Sequence, residues 1–146
     1  MKRIVYLSLM LALLVCAVSV LFSCNINLFA DVDKIGRWED ATYLSDTEFG
    51  EGSKTVYVEV KVEEQSLTFT FHTDKEILGD VLIEHGIVEG ENSEYGLYVK
   101  KVNGMLADYD VDCTYWALYK GGAYSMTGVD TTEISDGEHY ELVLEG

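Results

Sequence analysis

Basic residues are scarce. The chain sets 10 Lys and Arg against 26 Asp and Glu, for a formal charge of −16. Nucleic-acid binding rests on neutralising phosphates with Lys and Arg, so this balance excludes a DNA or RNA role. It also repels anionic lipid headgroups and favours solubility. Cysteine is scarce too: Cys16, Cys24 and Cys113 are the three in the chain. The first two lie in the N-terminal region, which leaves Cys113 alone and excludes an intrachain disulfide framework. A lone cysteine of this kind is expected as a small buried residue. Stability must then come from an apolar core, which a domain of about 110 residues can form. Proline is absent altogether, for no evident physical reason. Catalytic spacings are missing as well. His72, His85 and His139 lie far apart with no HExxH pair, and there is no G-x-S-x-G, P-loop or glycine-rich dinucleotide motif. An enzyme is not expected.

What is present begins with an export signal. Lys2 and Arg3 precede an apolar run from Ile4 to Phe22, interrupted by Ser8 and Ser19. A basic start, an apolar stretch and a small residue before the cut mark a secretory signal. A run near this length can also span a bilayer as a retained helix. Leu21, Ser23 and Cys24 resemble a bacterial lipobox at its −3, −1 and +1 positions, with the bulky Phe22 at −2 departing from it. This reading makes residues 1–23 a lipoprotein signal peptide, Cys24 the lipid-bearing residue, residues 24–36 a tether and residues 37–146 the domain. The other reading is an ordinary cut near Ala30. Two or three acyl chains anchor well, at about 0.8 kcal/mol per buried methylene. The expected location is the outer, extracytoplasmic face of the cell membrane.

The domain reads as α+β. Val56, Val58, Val60 and Val62 alternate with polar neighbours across 55–63, as do Leu67, Phe69 and Phe71 across 66–72. Period-2 alternation argues half-buried strands, joined at Glu64-Gln65. Residues 48–52 read as a turn. Thr73-Asp74-Lys75-Glu76 has the form of a capping box, ahead of a helix with Leu78, Val81, Leu82 and His85 on one face and Gly86 as its stop. Strands are expected over 95–102, 105–109, 115–120, 123–126 and 139–144, with turns at Asn103-Gly104, Gly121-Gly122 and 135–137. One helix on mainly antiparallel sheet predicts a β-grasp-like fold.

Two groups of residues suggest chemistry. Tyr95, Tyr98, Tyr109, Tyr115, Trp116, Tyr119 and Tyr124 crowd the second half, and aromatics with a polar handle grip apolar ligands or partners. On a strand Trp116 and Leu118 share one face and Tyr115, Ala117 and Tyr119 the other; Trp116 is expected inward and the tyrosines outward. The competing reading is plain sheet packing. Asp108, Asp110 and Asp112 put three carboxylates at alternate positions. An EF-hand is excluded, because Cys113 and Tyr119 occupy the places that need glycine and glutamate. A looser calcium site on a strand, or a solvated turn, remains.

From about Trp38 onward the chain resembles a domain-of-unknown-function family, DUF4430, related to the C-terminal domain of transcobalamin and intrinsic factor. The likeness rests on Trp38-Glu39-Asp40-Ala41-Thr42-Tyr43, on 73–76 with Leu78-Gly79, on 95–104, and on 115–119 running through Gly128-Val129-Asp130 to Asp136-Gly137. The resemblance implies binding of cobalamin or a related corrinoid. Animal relatives hold it between this domain and a separate helical domain, which this sequence does not carry. It further implies that Trp116 matches the family tryptophan and that Ser125-Met126-Thr127 before Gly128 supplies contacts. Together with the aromatic surface, this gives Tyr115, Trp116, Tyr119, Tyr124, Met126, Thr127 and Gly128 as expected ligand-binding residues, with a membrane vitamin importer as a partner. The other expectations are an envelope protein–protein interaction module using a free sheet edge and a cation-binding domain.

Overall fold

The computed structural model describes residues 37–146. The signal peptide, Cys24 and the 24–36 tether lie outside the described residues. Among the described residues no helix is long and apolar enough to cross a membrane.

The first hairpin forms where the alternation is cleanest. Strands β2 (Lys54–Val62) and β3 (Gln65–Thr73) pair antiparallel, with Val58 opposite Phe69 and Val60 opposite Leu67. Their turn is Glu63-Glu64, with Glu63 at φ 55. All four valines of β2 and Leu67, Phe69 and Phe71 are buried on one face. Full burial of such a side chain stabilises by about 1.5–3 kcal/mol, so this hairpin alone supplies much of the core.

The last strand, β9 (His139–Glu145), enters between this hairpin and β7 (Tyr115–Lys120). It runs parallel to β2 and antiparallel to β7, placing Tyr140 beside Val58 and Leu142 beside both Val60 and Leu118. With β1 (Thr47–Phe49) parallel to β3 at one edge and β8 (Ala123–Tyr124) at the other, the sheet order is β1-β3-β2-β9-β7-β8. Parallel neighbours require a crossover. Here that crossover carries helix α1 (Leu78–Glu84) and a separate antiparallel sheet of β4 (Val88–Ser93), β5 (Gly96–Val102) and β6 (Met105–Leu106). A hairpin, a helix, a return pair and a final strand inserted at the centre make the β-grasp arrangement, and the fold is the expected α+β, mainly antiparallel by strand pairs. Leu78, Val81, Leu82, Val99, Val102 and Met105 close the core from the crossover side.

Several local expectations need correction. Helix α1 begins at Leu78, and its N-cap, Ile77, makes no side-chain cap bond. Thr73 instead ends β3, where its hydroxyl accepts from the Lys75 amide at 3.1 Å. Asp74 accepts from the amide and hydroxyl of Ser53 at 2.9 and 2.7 Å. The tertiary partner outcompetes the local cap. Glu48 and Phe49 belong to β1 rather than to a turn, because Phe49 packs on Phe71 and His85. Strand β4 carries no apolar alternation beyond Val88 and is exposed from Glu89 to Ser93. The stretch 105–109 holds only two strand residues, and after it Tyr109–Asp112 forms one helical turn, α2. Cys113 is exposed rather than buried: it follows α2 in the left-handed conformation at φ 60, which turns the chain outward.

The return loop before β9 is held electrostatically. Burial would raise the Glu138 carboxyl, but its bonds with Lys120, Tyr140 and the Ser135 amide outweigh this and hold it below its ordinary 4.5. A depressed carboxylate stabilises above its unfolded pKa and loses that contribution as pH falls through the folded value. Glu138→Gln is therefore expected to lower urea stability at pH 7, with mutant and parent converging between about pH 5 and pH 3. Curves that stay parallel throughout this range would contradict it.

Candidate functional site

A cleft of about 310 Å³ opens between the start of β5, the face of β7 and the loop from Ser125 to Gly128. Leu97, Tyr98 and Val99 form one wall, Trp116 and Leu118 another, and Leu142 and Val129 also line it. Period-2 geometry turns Trp116 and Leu118 to this side of β7. Trp116 is 8% exposed, yet its indole N–H has no acceptor among the described residues. A buried donor left unpaired costs about 1–3 kcal/mol, so a ligand acceptor reaching it would recover that loss.

The 125–132 loop is stiffened by its own hydroxyls. The Ser125 amide donates to the Leu118 carbonyl at 2.8 Å, and its hydroxyl donates to the Thr127 carbonyl at 3.1 Å. Thr132, buried, donates to the Gly128 carbonyl at 2.7 Å and meets the Thr127 hydroxyl at 3.0 Å. Across the cleft, the Leu97 amide donates to Asp130 Oδ2 at 3.0 Å, which fastens the loop to β5. Asp130 Oδ1 is buried and has no partner among the described residues. Glycines make room for this carboxylate: a Cβ at Gly128 would lie 2.8 Å from Oδ1, and one at Gly96 2.6 Å from Oδ2. Gly128 has φ −76, so alanine there meets only a steric objection. Gly128→Ala is expected to shift the loop and weaken ligand binding at the cleft about fivefold or more, the equivalent of about 1 kcal/mol. Unchanged affinity would show that Asp130 yields freely.

The expected binding residues separate into two groups. Trp116, Met126, Thr127 and Gly128 line the cleft, and Met126 stands 93% exposed on its rim. Tyr115 and Tyr119 face the opposite side of β7, where both hydroxyls donate to Glu145, at 2.8 and 2.5 Å. Tyr124 borders the cleft, but its ring packs edge-on against Tyr119, with centroids 5.5 Å apart. The seven residues are therefore not one surface. Sequence reasoning missed Leu97, Val99, Leu142 and Asp130. Leu97 and Val99 alternate at period 2 and were open to inference; Asp130 and Leu142 reach the cleft only through pairings distant in sequence.

The three aspartates do not alternate on a strand. Asp108 caps α2 by accepting from the Asp110 amide at 3.1 Å and lies 3.7 Å from Lys100. Asp112 accepts from the amide and hydroxyl of Thr114 at 3.0 and 2.5 Å. Among the described residues no group of three or more His, Cys, Asp or Glu side chains is arranged to hold a metal. The helical turn breaks the strand geometry that calcium coordination at this place required.

The profile of the family described as Domain of unknown function (DUF4430) matches residues 76–143, which contain most of the cleft. A crystal structure of a candidate metal-binding protein from Ruminococcus gnavus is similar at 37% identity and a TM-score of 0.61, over 64% of this chain and 97% of that one. Haptocorrin in complex with Cbi shares the fold at 22% identity and a TM-score of 0.52, over 66% of this chain. This chain spans 26% of haptocorrin. No curated protein matches the chain significantly.

Proposed function

The chain belongs to the DUF4430 family, and on that premise we propose that it is a binding domain without enzymatic activity, displayed on the outer face of the cell membrane by lipid on Cys24. Its ligand is a small organic molecule of the corrinoid class, cobalamin or a relative, taken in the cleft at Trp116 and passed to a membrane importer. The observation that carries this reading is the buried Trp116 indole on the cleft wall, with an N–H that no described residue answers. The cleft combines apolar walls with the polar Ser125–Gly128 loop, a lining that can hold an apolar face of a ligand and orient its polar groups. The fold shared with the haptocorrin complex adds a precedent for the architecture.

Titration of cobalamin and of cobinamide into the chain, followed by calorimetry, tests it. One-site saturation at micromolar concentration or tighter is expected. Trp116→Phe keeps a six-membered aromatic ring but removes the N–H together with the pyrrole half of the indole. It is expected to weaken binding about fivefold to tenfold, for a hydrogen bond of about 1–1.5 kcal/mol, and to lower the melting temperature by a few degrees, because the smaller ring leaves a gap in a buried position. No heat with either compound sinks the corrinoid reading. The anchor has its own test: Cys24→Ser should move the protein from the membrane fraction to the soluble fraction and abolish labelling by radioactive palmitate.

Cation binding is the second reading, favoured by the Ruminococcus gnavus relative. A melting temperature raised by millimolar calcium would support it through linkage. Strand addition to a partner protein is favoured less. The β4 edge carries Glu89 and Glu91 and a bulge at Glu89/Gly90, devices that oppose edge pairing.

A further inference from the structure

One face of the main sheet is turned away from the core. Along β7, β8 and β9 it presents Tyr115, Tyr119, Tyr124 and Glu145, and α2 adds Tyr109 beside Tyr115. Register places Tyr115 directly opposite Glu145, and Tyr119 leans along its strand until its hydroxyl reaches the same carboxylate. Each of these two tyrosines is flanked edge-on by a more exposed one. Tyr109 meets Tyr115 at 6.4 Å and 62°, and Tyr124 meets Tyr119 at 5.5 Å and 89°. Tyr109 and Tyr124 are 58% and 55% exposed.

The charge on this face is unbalanced. Glu141, which pairs with Tyr119 in register, is held by Lys61 at 2.6 Å. Glu145 has no cationic partner among the described residues; its partners are two neutral phenols. A carboxylate without a cationic partner attracts a cation by Coulomb attraction, and a cation seated among these four tyrosines can also use the negative faces of the rings. The type of cation follows from the hydrogen bonds. Each carboxylate oxygen already accepts from one tyrosine hydroxyl, so a guanidinium or primary ammonium that bonds the carboxylate must share its oxygens with both phenols. A quaternary ammonium needs no hydrogen bond and uses only charge and ring faces.

We propose that Tyr109, Tyr115, Tyr119 and Tyr124 around Glu145 form a second binding site, for a soluble small molecule carrying a quaternary ammonium group. The site centres on the opposite face of β7 from the Trp116 cleft; Tyr124 borders both, and the proposal does not depend on what that cleft binds. The Tyr119 phenol, pushed up to about 12 by its bond to Glu145, stays protonated at any physiological pH and so keeps the carboxylate in place.

The test uses the full chain in a non-ionic detergent. Tyrosine emission is followed as tetramethylammonium or choline is added, against sodium chloride at equal ionic strength. A saturable change, with a midpoint in the millimolar range or tighter, is expected for both ammonium compounds and not for sodium. Glu145→Gln should abolish saturation, and Tyr124→Leu should raise the midpoint about two- to fivefold, as one exposed cation–π contact implies. Tyr124 is at the surface, so this variant reports even if Glu145→Gln fails to fold. Trp116→Phe should leave the midpoint unchanged, which separates this site from the cleft. A linear response, an equal response to guanidinium, or binding to phosphatidylcholine vesicles with none to choline would each overturn the proposal.

Discussion

Replacing Asn103 by alanine is expected to cost about 3–5 kcal/mol of stability and to lower the melting temperature by about 12–20 °C. The local sequence Asn103-Gly104 reads as a two-residue hairpin turn, and it is one: Val102 pairs with Met105, and both turn residues have positive φ, 50 and 83. The turn alone would make Asn103 replaceable by glycine at little cost. Its side chain, however, is fully buried and tied to a segment 60 residues earlier. Its Oδ1 accepts from the Tyr43 amide and its Nδ2 donates to the Tyr43 carbonyl, both at 2.9 Å. The Asn103 carbonyl also accepts from the Thr42 amide at 2.9 Å. Alanine would leave two part-buried backbone groups of Tyr43 without their partner, at about 1–2 kcal/mol each, and would add about 1 kcal/mol for its left-handed conformation. Asn103→Gly removes only the second cost and should recover about 1 kcal/mol. Thermal denaturation of the two variants checks this. A loss under about 1 kcal/mol for Asn103→Ala would mean that water replaces Tyr43 without penalty.

The second large effect is expected at Phe69. It is fully buried, faces Val58 across the hairpin, and its ring lies 5.6 Å from Tyr43, 5.9 Å from Phe49 and 6.2 Å from Phe71. These aromatics seal the end of the sheet where β1 adds in parallel. Phe69→Ala should cost about 3–5 kcal/mol, from lost transfer energy and the cavity left behind. Phe69→Leu should cost less, since most of the volume returns. Equilibrium urea unfolding measures both. Below its melting temperature Phe69→Ala should bind ligand in the Trp116 cleft as the parent does, because none of the Phe69 contacts named above lines that cleft. If affinity fell in step with stability, the aromatic end and the cleft would be coupled through the sheet.

The periodicity of the chain was a faithful guide where a segment has one wet and one dry face. β2, β3, β7 and β9 lie within two residues of their expected bounds, because alternation at period 2 reports burial directly. The glycine turns at 86, 104, 121, 122 and 137 were legible for a similar reason: each holds a positive φ that other residues adopt at a cost. Local reading failed where a distant partner wins. The capping box at Thr73–Glu76 is sound as local chemistry, yet Ser53 claims Asp74 and the helix starts later. Strand β4 has almost no apolar signal, since its backbone bonds to β5 hold it rather than its side chains.

The candidate site divides along the same line. From sequence alone came the acidic charge, the absence of catalytic motifs, the inward turn of Trp116 and the outward turn of its tyrosine neighbours, all properties of composition or of adjacent residues. The tertiary structure decided which of those residues meet. It placed Trp116 with Leu97 and the Ser125–Gly128 loop, gave Asp130 its role through the Leu97 amide, and gathered the tyrosines on Glu145 at the far end of the chain. It also wound Tyr109–Asp112 into a helical turn and so dispersed the three aspartates. Spacing along a strand tells which face a side chain takes; which side chains face it there depends on strand order, and strand order follows from burying the whole core at once.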